Sequence, residues 1–249
     1  MPVLAGLLGL LVLAGLVVVV LAPRHGAGLL PDAAASAPRW APPGAAPVAA
    51  LATEVKPSPG IAGLVDPGWA TAQAEATGIP RPAILAYAGA ALAKDSATPA
   101  CKLSWTTLAA IGEVESDHGR HGGSSIGPNG AVTPPIYGVA LNGDGVALVP
   151  DSDKGAIDGD AAADRAVGPM QLIPQTWRNW HTDGNADGVE DPQNIFDAVT
   201  ATANYLCRAS TALDTKHGWR AAISAYNSAD SYLGKVARTA VAYNRAAVA

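Results

Sequence analysis

Apolar side chains recur three and four residues apart along most of the chain beyond residue 60, which is the spacing of one helix face. This pattern predicts helices over residues 82–94, 104–117, a short segment opening near residue 174, 194–208, 218–225 and 230–245. No run alternates as a half-buried strand does, although residues 136–149 leave room for a short hairpin. Residues 119–164 are rich in Gly, Pro, Asn and Asp and are too long for a simple connection. The predicted fold class is therefore mostly α, a helical domain over residues 61–249 with an irregular loop insertion.

The N-terminal part has a different character. Residues 3–22 are apolar without a charge, which is long enough to cross a bilayer as a helix. This segment, residues 1–22, is either a signal peptide or a membrane anchor, and its length and the lack of a nearby cleavage site favour the anchor. Residues 23–60 are rich in Ala and Pro and contain hardly any large apolar side chains, so they predict a disordered linker. We therefore expect an exported domain that is tethered to a membrane.

One carboxylate is predicted on an apolar helix face. With Ser104 as N-cap, Leu108, Ile111 and Glu115 fall on one stripe of the helix over 104–117. A carboxyl group that faces a core either finds a partner or has a raised pKa, and a raised pKa suits a group that donates a proton near neutral pH. The alternative is a structural glutamate paired with a basic or hydroxyl side chain. Glu113 points the opposite way and is predicted to be solvated.

Composition excludes several classes of function. The net charge is −5 and the pI is about 5.4, whereas nucleic-acid binding relies on clustered Lys and Arg. The sequence contains no phosphate loop, dinucleotide fingerprint, nucleophile elbow or zinc-ligand spacing. Carboxylate chemistry is what remains.

Two cysteines, Cys101 and Cys207, form the single possible pair in the sequence. An exported chain meets an oxidising environment, so we predict a disulfide between them. It would tie the segment before the Glu115 helix to the end of the helix over 194–208. Two buried free thiols are the alternative.

An acidic segment has the spacing of a calcium-binding loop, with oxygen donors at positions 1, 3, 5, 7, 9 and 12 and a glycine at position 6. The predicted ligands are Asp183, Asn185, Asp187, Val189 through its carbonyl, Asp191 and Asn194. Asn194 replaces the bidentate glutamate of the strongest sites, so the predicted calcium affinity is modest. The alternative is a loop whose Asp, Asn and Gly residues only form turns. The acidic segment 144–164 lacks this spacing and is predicted to be a solvated loop.

Three short blocks occur in order, and they are Glu115-Ser116, Gly168-Pro169-Met170-Gln171 and Ala225-Tyr226-Asn227. Together they resemble the motifs of lytic murein transglycosylases, and the flanking residues 165–177 and 225–232 are similar to the membrane-bound lytic transglycosylase B branch. This branch also has an Asp- and Gly-rich loop where the predicted calcium loop lies. The sequence departs from the pattern at Pro169, where a small or aliphatic residue is commoner, and at Ala229, where some relatives carry glycine.

The resemblance implies a lysozyme-like α fold with a cleft for the peptidoglycan glycan strand, in the cell envelope and with no cofactor needed for the chemistry. Glu115 would be the acid and then the base, while the muramyl C6 hydroxyl attacks C1 to close a 1,6-anhydro ring. Tyr226 would hydrogen-bond Glu115. The residues implied to contact substrate are Ser116, Met170, Gln171, Tyr226 and Asn227.

Two other functions stay open from the sequence. A muramidase would use Glu115 as the acid but let water attack, and a binding or scaffold module would keep the cleft without turnover. The presence of the acid together with the other motif residues argues against the binding module. Trp177, Trp180 and Tyr137 are candidate sugar platforms, although each alone is more often a core residue.

Overall fold

The computed structural model of the chain describes residue 50 and residues 58–247. The predicted N-terminal segment 1–22 and nearly all of the predicted linker lie outside these residues. Among the described residues, no helix combines the length and the apolar character needed to cross a membrane.

The described residues are mostly helical, which confirms the predicted fold class. The α-helices are α1 Pro67–Thr77, α2 Arg81–Ala97, α3 Trp105–Ser116, α4 Pro174–Trp180, α5 Ile195–Ala209, α6 Lys216–Tyr226 and α7 Asp230–Ala246, with short 3-10 turns at Ile61–Leu64 and His121–Gly123. The strands are β1 Ser125–Ile126, β2 Val132–Thr133, β3 Tyr137–Ala140 and β4 Arg165–Val167.

Helix α3 lies at the centre of the fold, packed between α2 and α7, and α2 packs in turn against α1 and α5. Leu108 and Ile111 of α3 are fully buried, as the apolar stripe predicts. The buried Trp219 of α6 donates its indole N–H to the Thr107 hydroxyl at 3.1 Å. Apolar burial on several sides of α3 therefore fixes the helix that carries the predicted acid.

Capping residues set the helix starts. The Ser104 hydroxyl accepts the Thr107 N–H at 3.3 Å, so its predicted N-cap role is confirmed. Helix α1 was not predicted, because its apolar residues follow no clear helical period. Its ends nevertheless carry sequence signals, namely an Asp66 cap before Pro67 and a left-handed Gly78 after the last turn.

The irregular insertion is more ordered than predicted. Strands β1 and β2 form one antiparallel pair, and β3 pairs with β4, with Tyr137 opposite Val167. The short hairpin expected within 136–149 is present, since Asn142 and Leu148 form an antiparallel bridge and the Val149 N–H donates to the Leu141 carbonyl at 2.7 Å, but most of β3 pairs outside that range. A partner more than 20 residues away leaves no local sequence signal.

The acidic segment 144–164 is an irregular loop with many exposed residues, as predicted, but two of its carboxylates are buried. Asp158 and Asp164 are 5% and 0% exposed. Asp164 accepts both the N–H and the hydroxyl of Ser152 at 2.8 Å, and Asp158 accepts the Arg165 N–H at 2.5 Å. The carboxylates satisfy backbone donors that regular secondary structure would otherwise pair, so they order the segment.

The predicted disulfide is confirmed. Cys101 is bonded to Cys207 with the Cα atoms 5.4 Å apart, so the segment before α3 is joined to α5. The neighbouring Leu213 N–H donates to the Cys101 carbonyl at 2.8 Å, which holds the connection after α5 against the same point.

Replacing both cysteines by alanine should lower the free energy of unfolding by about 2–5 kcal/mol, because the bond closes a long loop in the unfolded chain. Urea unfolding followed by circular dichroism measures this difference. Reduced wild type serves as the control, and an unfolding midpoint of the double variant equal to that of the oxidised wild type would refute the expectation.

Candidate active site

Glu115 lies in the last turn of α3. The helix ends immediately afterwards because Asp117 and His118 adopt left-handed φ angles of 53° and 55°. The Asp117 N–H donates to the Glu113 carbonyl and the His118 N–H to the Gly112 carbonyl, both at 3.0 Å, so residues beyond the helix satisfy carbonyls of its last turns. The predicted acid thus stands at a sharply terminated helix end.

The Glu115 carboxyl group is half-buried and has a tyrosine partner. The Tyr232 hydroxyl, on α7, donates to Glu115 Oε1 at 2.6 Å. Burial raises the pKa of Glu115 to about 7, while the Tyr232 hydrogen bond and the positive charge of Lys235 act in the opposite direction. This carboxyl group can therefore hold a proton near neutral pH and release it, as its position on the apolar stripe predicts.

Tyr226 does not bond to Glu115, so the predicted hydrogen-bond partner is wrong. Its hydroxyl donates to the Met170 carbonyl instead. Its ring stacks on that of Tyr232, with centroids 6.4 Å apart and an interplanar angle of 13°. Tyr226 therefore supports the tyrosine that contacts Glu115. Tyr232 lies only six residues further along the chain, but nothing in the local sequence distinguishes which of the two hydroxyls reaches the acid.

The Gly168–Gln171 segment forms a tight turn beside these tyrosines. Gly168 has a φ of 73°, and a Cβ there would lie 1.8 Å from the Pro192 carbonyl oxygen, so only glycine fits. Gln171 also has a left-handed φ of 48°, and its side-chain amide donates to the Gly168 carbonyl at 3.0 Å. Such strain in a residue with a side chain is often associated with a functional site.

Ser116 joins the helix to this turn. Its buried hydroxyl donates to the Pro169 carbonyl at 2.6 Å and accepts the Gly119 N–H at 2.7 Å. The Met170 side chain is fully buried. Contact of Ser116 or Met170 with a substrate stays a prediction; in the structure both lie behind the site surface.

Gln171 and Asn227 are the more accessible motif residues. Gln171 is half-buried, and Asn227 is exposed at the end of α6, where its side-chain oxygen accepts the Ala229 N–H at 3.0 Å. The three motif blocks therefore meet around Glu115, through Tyr232, Tyr226 and the Gly168–Gln171 turn. Their predicted contacts with a sugar stay predictions.

Comparison with family models decides the wider assignment. The transglycosylase SLT domain model matches residues 95–248, more than half of the chain. The chain belongs to this family. Proteins with this domain are lytic transglycosylases of the lysozyme-like superfamily that act on peptidoglycan in the cell envelope. No curated protein and no solved structure matches the chain significantly.

Glu113 of this SLT domain is partly exposed, with 38% of its side-chain surface accessible, but it also has hydrogen-bond partners that a purely solvated side chain would lack. The hydroxyl of Tyr243, on α7, donates to Glu113 Oε2 at 3.0 Å, and His118 Nε2 lies 3.0 Å from the same oxygen. The hydrogen bond from His118 is the main cause that holds the pKa of Glu113 below its usual range. Both partners come from outside the helix, so helical periodicity could not reveal them.

The candidate sugar platforms occupy different environments in this SLT domain. Trp177 is buried, and Trp180 packs partly buried against the core, with its ring 6.2 Å from that of Tyr205. Tyr137, on β3, is 48% exposed. Of these three aromatics, only Tyr137 presents much surface to a ligand.

In the predicted calcium loop, side-chain oxygens accept hydrogen bonds from backbone N–H groups of the same loop. Asp183 accepts the N–H groups of Asp187 and Gly188, and the Asp187 carboxylate accepts the Val189 N–H. The side chains of Asn185 and Asp191 likewise accept N–H groups two residues ahead.

Asn194, the predicted twelfth-position ligand, has a different task. Its oxygen accepts the Phe196 N–H at 3.0 Å as the N-cap of α5, and its amide donates to the Asn129 carbonyl at 3.1 Å. The buried Asp197 adds further bonds to the Gly184 and Asp191 N–H groups, at 2.7 and 2.9 Å. These hydrogen bonds are those expected of a turn-forming loop. Calcium binding stays a prediction.

Among the described residues, three acidic side chains converge within 4.8 Å only at Asp151, Asp153 and Asp164. All three lie in the insertion, outside the predicted calcium loop. Asp151 and Asp153 accept N–H groups of the same turn, including that of Gly155 at 3.1 Å from each. These carboxylates are accounted for as backbone acceptors.

If the Asp183 loop binds calcium, as its spacing predicts, the melting temperature should be higher in calcium than in chelator, because a ligand that binds only the folded state stabilises it. Differential scanning calorimetry in the two buffers measures it. The expected rise should increase with calcium concentration, and an unchanged melting temperature would leave the Asp183 loop as a turn-forming loop. Asp183→Asn is the control that should then remove the rise.

Replacing Glu115 by glutamine should stabilise the protein increasingly as pH rises. The folded-state pKa of about 7 lies above the ordinary value of 4.5, so ionisation of Glu115 opposes folding between these two pH values. Glutamine cannot ionise and keeps an oxygen for Tyr232. We therefore expect the melting temperature of the variant to exceed that of wild type by more near pH 8 than near pH 4.

Glu190→Gln is the matched control for this measurement, since Glu190 is an exposed glutamate paired with His181 at 2.5 Å. If the melting-temperature difference between Glu115→Gln and wild type is the same at both pH values, Glu115 ionises as an ordinary surface carboxylate does.

Proposed function

We propose that this protein cleaves the β-1,4 bond between N-acetylmuramic acid and N-acetylglucosamine of peptidoglycan and leaves a 1,6-anhydro end. Glu115 is the acid and then the base. The observation that carries the proposal is the half-buried Glu115 carboxyl group with a raised pKa, bonded to Tyr232 at the meeting point of the three motif blocks. Membership of the SLT domain family supplies the substrate class.

The reaction needs one carboxyl group at two stages. Protonated Glu115 donates its proton to the glycosidic oxygen as the bond from that oxygen to the muramyl C1 breaks. The Glu115 carboxylate then takes the proton of the muramyl C6 hydroxyl, whose oxygen bonds to C1. No water is consumed, and Glu115 ends protonated for the next cycle. Proton transfer of this kind contributes about 10²–10⁴-fold to rate.

Tyr232 prepares Glu115 for both stages. Its hydroxyl donates a hydrogen bond to Glu115 Oε1, so we assign the proton transfer to the other oxygen, Glu115 Oε2. The same bond stabilises the carboxylate that forms after the first stage, since hydrogen bonding to the charged form favours it. Tyr226, stacked on Tyr232 and bonded to the Met170 carbonyl, limits movement of the donor.

The surroundings of Glu113 support a mechanism with a single acid. Glycosidases with two catalytic carboxyl groups place them on either side of the scissile bond. Glu113 is the other acidic residue of α3, and it is committed to His118 and Tyr243. It is therefore not available as a second carboxylate at the site.

We further propose that residues 1–22 carry the protein across the membrane or anchor it there, and that residues 23–60 hold the domain away from the membrane surface. The apolar, uncharged segment 3–22 and the Pro- and Ala-rich composition after it support this. The likeness of residues 165–177 and 225–232 to the membrane-bound lytic transglycosylase B branch supports membership of that branch.

The products of peptidoglycan digestion test the proposed reaction. Purified protein should release muropeptides that are lighter by one water than reducing-end muropeptides, as mass spectrometry detects. Glu115→Gln should lower the rate at least about 100-fold, because it cannot donate a proton. Glu190→Gln, at an exposed glutamate, should keep wild-type activity.

Other outcomes identify the other functions. Reducing-end products that depend on Glu115 would make the protein a muramidase. Binding of peptidoglycan without any product would make it a binding module. Wild-type activity in the Glu115→Gln variant would remove Glu115 from the mechanism.

A further inference from the structure

A buried histidine links three helices next to the candidate active site. His118 is 0% exposed. Its Nδ1 lies 3.0 Å from the hydroxyl of Tyr87 on α2, and its Nε2 lies 2.8 Å from the hydroxyl of Tyr243 on α7. The same Nε2 lies 3.0 Å from Glu113 Oε2 on α3. All the polar atoms of the imidazole therefore have partners, and none of these partners belongs to the Glu115 site.

The backbone brings His118 to this position. It follows Asp117 as the second left-handed residue after α3, and its N–H closes the helix on the Gly112 carbonyl. Gly112 also makes room for Tyr87, since a Cβ at Gly112 would lie 2.0 Å from the Tyr87 hydroxyl oxygen. The helix end that carries Glu115 is thus fitted closely against α2.

Helix α7 holds both glutamates of α3 through tyrosine hydroxyls. Tyr232 donates to Glu115 at 2.6 Å, and Tyr243 donates to Glu113 at 3.0 Å. The two tyrosines lie on one uninterrupted helix, eleven residues or about three turns apart. Two hydrogen bonds that are far apart on α7 add to the apolar packing and restrain the rotation of the end of α3 against α7.

We propose that Glu113, His118 and Tyr243 are positioning residues, whose mutual hydrogen bonds hold the end of α3 in the orientation that brings Glu115 to Tyr232. The proposal rests on the proposed function, in which Glu115 is the acid. These residues touch no substrate. They act through the helix, because a shift of its last turn moves Glu115 away from the Tyr232 hydroxyl.

The charges around the two glutamates separate this effect from a direct electrostatic one. The groups that act on Glu113 are His118, Tyr243 and Arg120, with Tyr87 and Asp117 nearby, and those that act on Glu115 are Tyr232 and Lys235, with Tyr226 nearby. Tyr243→Phe removes one hydroxyl and changes no charge. Glu113→Gln removes a negative charge, which by direct electrostatics would lower the pKa of Glu115, whereas loss of the Tyr232 hydrogen bond would raise it.

The test is a ¹³C NMR titration of the Glu115 carboxyl carbon in the full chain, labelled at its five glutamates. The variants are Tyr243→Phe and Glu113→Gln, and Glu115→Gln assigns the signal. We expect the Glu115 midpoint to move upward by about 0.5 pH units or more in both, because the Tyr232 bond that favours the carboxylate is weakened. Turnover of peptidoglycan should fall about tenfold with KM unchanged.

The exposed pair of His181 and Glu190, 2.5 Å apart, provides the matched control, because it has the same two residue types outside the site. Glu190→Gln should leave the Glu115 midpoint and turnover at wild-type values. If Tyr243→Phe fails to fold, Glu113→Gln, which keeps the size and hydrogen-bonding capacity of the side chain, decides the question.

An unchanged Glu115 midpoint in folded variants, with only the melting temperature lowered, would overturn the proposal and leave the cluster as a plain stabilising contact. A downward shift in Glu113→Gln alone would show a direct charge effect and overturn it as well. Failure of the proposed function has a different signature, which is the absence of cleavage by wild type or full activity of Glu115→Gln. The titration tests positioning in either case.

Discussion

The partial burial of the Glu115 carboxyl group against Tyr232 is the constraint on which the site depends. Removing a carboxylate from water costs free energy, and the cost appears here as a pKa of about 7. A side chain in that position keeps its function only if its surroundings are rigid, because a flexible end of α3 would let water or a different partner reach it. The structure supplies rigidity from three directions, namely α7, the Gly168–Gln171 turn and α2.

These supports are joined by specific bonds between distant parts of the chain. Ser116 connects the end of α3 to the Pro169 carbonyl, and Tyr226 connects α6 to the Met170 carbonyl. The Cys101–Cys207 disulfide ties the beginning of the α3 region to α5. Each bond uses a backbone carbonyl or a covalent link rather than an exposed charge. The positions are therefore insensitive to salt, unlike those set by surface ion pairs.

The sequence predicts much of this arrangement, because helices with a buried face leave a periodic apolar pattern. The bounds of α3, α5 and α7 and the raised pKa of Glu115 follow from such local information. The predictions that were wrong are those of hydrogen-bond partners, which tertiary packing determines. The sequence motif predicts Tyr226 as the donor to Glu115, whereas the packing of α7 on α3 brings Tyr232 there instead.

Glu113 is a second residue whose tertiary contacts helical periodicity does not predict. Its position opposite the apolar stripe predicts solvent, yet Tyr243 of α7 and His118 of the turn after α3 cover part of that side. A central helix has no fully solvated face, so periodicity underestimates its burial. Composition likewise does not predict which carboxylates of the acidic insertion are buried. Asp164, for example, is buried because it accepts a backbone N–H group.

Two glutamates two residues apart on one helix consequently differ in acidity. The pKa of Glu113 is lowered by its hydrogen bond from His118, whereas that of Glu115 is raised by burial. Opposed shifts of this kind separate an ionised structural carboxylate from a protonated one that is fit for catalysis.

The proposed reaction makes a stricter demand, since the same carboxyl group must donate a proton and then accept one. A pKa near the working pH serves both steps, because a much lower value would leave the acid ionised and a much higher value would leave the base occupied. The hydrogen bond from Tyr232 and the positive charge of Lys235 both limit the rise in the pKa of Glu115, and both residues lie on α7, so the position of α3 against α7 matters for each.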